Sequence, residues 1–177
     1  MRITVDKKKT LLFLKLCSIL CVAALILFLL YALGYRINVS NSLPNLVYKI
    51  AQITDKPTVR GDYVVVDHSL IANNPAIKTG LERKYLERYP MLKQIGAVPG
   101  DVVLLRDNIL YINGIKHGEM IVLSADSHGL QLSPFPTPVT LQPGQYWLIS
   151  NPHGGYDSRY FGWINRDCIT HTAYPVF

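Results

Sequence analysis

Met91-Leu92-Lys93-Gln94-Ile95-Gly96-Ala97-Val98, with Pro90 before it and Pro99-Gly100-Asp101 after it, is the stretch on which the fold turns. An apolar run of this length between two prolines reads as a β-strand ending in a turn. Strand alternation would put Met91, Lys93, Ile95 and Ala97 on one face, apolar except for a single amine. Its surroundings have the same character. Tyr63-Val64-Val65-Val66 follows the turn Arg60-Gly61-Asp62. Residues 102–105 and 109–112 flank Arg106-Asp107-Asn108, a hairpin signal, and Asn113-Gly114 turns the chain again into Ile115. Tyr146-Trp147-Leu148-Ile149 follows Pro143-Gly144. Residues 36–177 therefore read as a mainly β domain.

One part of that domain differs. Between residues 75 and 89, Leu81-Glu82-Arg83-Lys84-Tyr85-Leu86-Glu87-Arg88 has apolar residues at helical spacing. This predicts a surface helix within an insert spanning about 68–90, its charges forming a solvated face. Residues 124–142 are rich in Ser, Pro and Thr and read as a long loop.

Upstream, residues 16–33 carry no charge. At about 1.5 Å per residue such a helix is roughly 27 Å long, close to the thickness of a bilayer core. The expected organisation is a basic tail over 1–15, a transmembrane anchor over 16–34 and an outer domain over 36–177. Arg2, Lys7, Lys8, Lys9 and Lys15 precede the span against Asp6 alone, so the positive-inside rule predicts a cytoplasmic N-terminus. A cleaved signal peptide is the rival, but Ala32-Leu33-Gly34 makes a poor cleavage site. The formal net charge is +6, of which residues 1–15 carry +4, leaving +2 for the rest. The excess thus belongs to membrane topology and gives no nucleic-acid patch. Cys17 and Cys21 fall in the span and Cys168 alone lies beyond it. The five histidines are scattered, and no metal-ligand spacing appears, so no metal or cofactor is expected.

Two residues suggest chemistry. Ser42, in Asn38-Val39-Ser40-Asn41-Ser42-Leu43-Pro44, lies just past the span. A serine hydroxyl is a weak nucleophile and needs a base. A lysine serves as that base only when neutral, which asks burial to lower its pKa by roughly 3 units from about 10.4. Lys93 fits that demand better than the other lysines, because its strand face is apolar. The same pattern also fits a lysine snorkelling from a strand edge, and Ser-x-Pro is also a common loop signature. A Ser/His/Asp arrangement using His153 and Asp157 is a further alternative, as is a non-enzymatic anchored scaffold.

The motifs taken together resemble those of bacterial type I signal peptidases, in their conjugative-transfer (TraF-type) branch. Asn38, Ser40, Ser42, Pro44 and Tyr48 stand at the places of that branch's first box. Gly61-Asp62-Tyr63-Val64 is similar to the second. Lys93 with Pro99-Gly100-Asp101 is similar to the third, and Asp157-Ser158-Arg159-Tyr160-Phe161-Gly162 to the last. The boxes follow in family order across nearly the whole outer domain. The resemblance implies a signal-peptidase-like (LexA-like) β-fold with Ser42 as nucleophile and Lys93 as general base. It implies an oxyanion hole from the Ser42 N–H and the Ser40 hydroxyl, with Asp157, Ser158 and Arg159 in support. It also implies a bacterial inner-membrane enzyme whose catalytic domain faces the periplasm. Its partners would be membrane lipid, a precursor-protein substrate (a propilin, or secretory preproteins generally) and conjugative or type IV secretion machinery. Three positions depart from the pattern. Leu46 replaces a glycine, Gln94 a frequent arginine, and Gly155 stands where relatives often carry a serine that hydrogen-bonds the lysine.

Overall fold

The computed structural model describes residues 7–40, 42–71, 90–126, 129 and 131–177. The chain divides into two compact units at Arg36/Ile37.

The first unit is one helix, α1 (Lys7–Ala32). Leu, Ala and Lys dominate it, no Gly or Pro interrupts it, and so it takes in basic residues that precede the uncharged run. Gly34, at φ 89°, ends it, and its N–H returns to Tyr31 O at 3.1 Å. The Arg36 guanidinium donates to the same carbonyl at 2.6 Å and lies 3.7 Å from the Tyr31 ring centroid. Residues 8–32 are long and apolar enough to cross a membrane. Their Leu, Ile and Phe side chains are exposed around the helix, as a helix apolar on all sides requires when lipid is its solvent.

The second unit is built on two antiparallel sheets. The strands are β1 (Tyr35–Ile37), within which the division falls, β2 (Val47–Gln52), β3 (Tyr63–Val66), β4 (Met91–Ala97), β5 (Val102–Arg106), β6 (Ile109–Ile112), β7 (Ile115–Glu119), β8 (Val139–Thr140), β9 (Gln145–Ile149), β10 (Ile164–Asn165) and β11 (Ile169–Pro175). The larger sheet has the order β1-β2-β11-β3-β4-β9-β10 and the smaller one β7-β6-β5-β8. Two short helices, α2 (His68–Ile71) and α3 (Ser158–Phe161), and a 3-10 turn at Arg166–Cys168 complete the described elements. Asp107 and Asn108 both take positive φ between β5 and β6, as do Asn113 and Gly114 between β6 and β7. These are the left-handed two-residue turns that match strand twist.

Val64, Val66, Ile95, Leu148, Phe161, Ile164 and Ile169 form one core on a face of the larger sheet. Trp147, Ile149 and Ala97 pack against Val103, Leu110, Ile112 and Leu141 of the smaller sheet and its margin to form a second. Each large apolar side chain so buried contributes about 1.5–3 kcal/mol. A smaller cluster joins Leu43 to Tyr48 and Ala173.

The expected alternation in β4 holds through Ile95 and then fails. Ile95 pairs with Leu148 and Ala97 with Trp147, so Gly96 is an extra residue in the ladder. This bulge turns Ala97 away from Met91 and Ile95 into the second core. Ala97 therefore does not share the face of Lys93. The stretch 124–142 is not wholly irregular either: it contains β8 and an Ala125–Gln131 bridge. The helix expected within 75–89 lies outside the described residues.

Candidate active site

Ser42 sits in the loop between β1 and β2, and one side chain braces that loop. Asn38 Nδ2 donates to Leu43 O at 3.3 Å and to Asn45 O at 3.2 Å. Asn38 Oδ1 accepts from the Ser40 N–H at 3.3 Å and the Ser40 hydroxyl at 2.8 Å. The Asn38 N–H closes the loop on Leu46 O at 2.7 Å. Below it, Tyr48 is fully buried, and its hydroxyl accepts from the Asn45 N–H at 3.4 Å.

The Ser40 and Ser42 hydroxyls are 2.6 Å apart. An amide oxygen only accepts, so the Ser40 proton goes to Asn38. Ser42 is then the donor to Ser40 in this resting arrangement. The Ser42 carbonyl accepts from the Asn151 N–H at 2.7 Å, while its own N–H has no partner among the described residues.

Lys93 lies in β4, paired with Val64 of β3, and is 5% exposed. Burial pulls its pKa down from the usual lysine value to about 8. The Asp157 charge opposes that shift and the Arg159 charge adds to it. Its ammonium makes no hydrogen bond among the described residues. One residue beyond the last β4–β9 pair toward Lys93, Gln94 with Ile149, the register sets Ser150 across from Lys93. Directly opposed residues share a face of the sheet, with Cβ atoms about 5 Å apart.

Asp157, Ser158 and Arg159 are all fully buried at the start of α3. Asp157 caps that helix, accepting from the Arg159 N–H at 3.0 Å. The guanidinium grips the same carboxylate through Nε at 2.8 Å and Nη2 at 2.9 Å. Its remaining N–H groups reach Ile121 O, Pro152 O, Asn151 O and Gly155 O. Ser158 Oγ accepts from the Leu148 N–H at 2.8 Å and ties α3 to β9.

The Lys93 environment and the Ser42 loop are thus linked through residues 150–151. Ser150 donates to Asp157 by its N–H and its hydroxyl, and Asn151 next to it holds the Ser42 carbonyl. Asn38 stands in the sequence only as a motif position, and Ser150 and Asn151 are not singled out there. Ser150 was accessible there only through the pairing of β9 with β4, which single-strand patterns do not give. His153 is exposed, and its ring makes no hydrogen bond among the described residues, while both oxygens of Asp157 are engaged by Ser150 and Arg159. That arrangement disfavours the Ser/His/Asp alternative. Among the described residues, no three His, Cys, Asp or Glu side chains converge as metal ligands would.

Comparisons with known proteins bear on the family. The sequence model of the family described as "Signal peptidase, peptidase S26" matches residues 10–177. A conjugal transfer protein TraF of Agrobacterium fabrum is 32% identical over 151 residues, covering 81% of this chain and 82% of that protein. A probable conjugal transfer protein TraF of Sinorhizobium fredii is 29% identical over 151 residues, covering 81% of this chain and 77% of the relative. The crystal structure of a signal peptidase I from Enterococcus faecalis aligns with a TM-score of 0.38 at 22% identity, over 66% of this chain and 96% of that one. The family match takes in the Ser42 loop, β4 and α3 alike, and the chain belongs to the signal peptidase family, peptidase S26.

Proposed function

We propose that this chain is a membrane-anchored serine endopeptidase in which Ser42 attacks and Lys93 is the base. The observation that carries the reading is Lys93 itself: a lysine 5% exposed, with its pKa drawn down to about 8. At that value a useful fraction is neutral near pH 7, which an exposed lysine does not provide. The neutral amine takes the Ser42 proton as Oγ bonds to the scissile carbonyl carbon. The Ser42 N–H, without a partner among the described residues, and the Ser40 hydroxyl, once it turns from Asn38, stabilise the oxyanion. The protonated lysine then gives its proton to the departing amine, leaving acyl-Ser42. Water attacks the ester with Lys93 again as base. An amine of the substrate in place of water would close a cyclic product. Asp157, Ser158 and Arg159 hold the frame around the lysine.

In this reading residues 1–15 are cytoplasmic, 16–34 span the inner membrane, and 36–177 form the catalytic domain on the periplasmic side. The names of the relatives point to conjugal transfer, so the substrate we assign is a propilin of a conjugative apparatus. Intact-mass spectrometry of the candidate pilin, from cells with and without this chain, tests the assignment. Processed pilin should appear only with the chain present, at the mass of a shortened linear chain or of the same chain less one water. Identical pilin masses in both strains would overturn it.

A further inference from the structure

Gly155 is a glycine for want of space. A β-carbon there would lie 1.8 Å from Ser150 Oγ, 2.9 Å from Ser150 Cβ and 3.0 Å from Arg159 Nη2. The residue is buried, and its φ is outside the left-handed region, so crowding alone excludes a side chain. The crowding comes from Ser150, itself 8% exposed. Its N–H and hydroxyl both donate to Asp157 Oδ2, at 2.9 Å and 2.7 Å. Positions 150 and 155 therefore compete for one slot against the carboxylate.

That slot borders the lysine. Val64 of β3 pairs with Lys93 on one side, and on the other the β4–β9 register, continued one residue past its last pair of Gln94 with Ile149, leads to Ser150. The charged groups acting on the amine are Asp157, the N-cap of α3, and Arg159 within it, and neither strand neighbour adds one. A lysine stem has four rotatable bonds, and ordering it costs up to about 2 kcal/mol of rotamer freedom. With no hydrogen bond to the ammonium among the described residues, the Asp157 carboxylate is the attractive charge acting on it. Ser150 shares with Arg159 the holding of that carboxylate, and its two donors converge on Oδ2.

We propose that Ser150 is a positioning residue for Lys93: its hydroxyl fills the single slot shared with position 155 and holds Asp157 where it aims the lysine. The inference rests on the Ser42/Lys93 reading. Removing the hydroxyl takes one neutralising donor from Asp157, so its negative charge acts more fully on Lys93 and favours the protonated amine.

The full chain in detergent micelles, with a peptide spanning the pilin cut site, provides the test. Cleavage is followed against pH, and Lys93 is titrated directly by NMR of 13Cε-labelled lysine. Ser150→Ala should lower kcat roughly ten- to a hundredfold with KM unchanged. The acidic limb of its rate profile and the Lys93 midpoint should move up together. Gly155→Ser should be impaired by collision, and adding Ser150→Gly to it should recover activity, since the hydroxyl then enters the slot from the other side. An unmoved Lys93 midpoint with wild-type kcat in Ser150→Ala overturns the proposal. So does a double variant no better than Gly155→Ser. Failure of the underlying reading looks different: Lys93→Ala would then cleave as fast as the wild-type chain.

Discussion

Lys93 shows how a functional demand opposes stability at a single residue. Its pKa in the folded chain is about 8, against about 10.4 for an unfolded lysine. Between those values the unfolded chain binds more protons, so stability rises with pH through that window. Below pH 8 the charged buried amine carries the whole cost, roughly 3 kcal/mol at 1.36 kcal/mol per unit. Lys93→Met, which keeps the length of the stem, should therefore be inactive yet more stable than the wild-type chain at pH 7. Urea titrations should show that advantage shrinking toward pH 10. A variant less stable at pH 7 would mean that the Asp157 attraction outweighs the burial cost. Lys93 was legible in the sequence because its neighbours in the strand are apolar. Ser150 was not, because a serine after Tyr146-Trp147-Leu148-Ile149 looks like the end of any strand. Its position opposite Lys93 depends on which strands pair and in what register.

At the scale of elements, the strands with dense Val, Ile, Leu or aromatic residues and sharp turns could be read directly. β3, β5, β6 and β9 fall close to their expected places. β11 could not. Ile169-Thr170-His171-Thr172-Ala173-Tyr174-Pro175 has no apolar alternation, yet it lies between β2 and β3 and makes ladders to both. Backbone pairing to two neighbours and β-branched threonines hold it there, with Ile169 and Ala173 its buried apolar contacts. The bulge in β4 was equally hidden, although Gly96 was its trace. A β-carbon at 96 would lie 2.6 Å from Ile149 Cγ2. Gly96→Ala should destabilise the chain by about 1–3 kcal/mol through overpacking, read as a lowered thermal midpoint. Adding Ile149→Val, which trims that side chain, should recover little if its Cγ2 is the blocking atom, because valine keeps a methyl there. Full recovery would place the strain at the Cδ1 end of the isoleucine.

For the molecule as a whole, Arg159 ties α3 to the loops around the site. It pairs with Asp157 and serves four backbone carbonyls drawn from residues 121–155, including that of Asn151, whose N–H holds Ser42. Arg159→Ala would leave Asp157 charged, buried and unpaired, a loss of about 3–5 kcal/mol. Circular dichroism should show partial or complete unfolding at 37 °C. Arg159→Lys should not rescue it, because an ammonium lacks the planar fork. The surrounding network of hydrogen bonds frames the Ser42 loop and the Asp157 carboxylate that acts on Lys93. The most direct test of the Ser42/Lys93 reading is the pH dependence of precursor cleavage by the full chain, measured beside Lys93→Ala. kcat/KM should rise through a single ionisation near pH 8, with no cleavage by Lys93→Ala at any pH. Cleavage that persists in Lys93→Ala, or a limb near the histidine value of about 6.5, would contradict it.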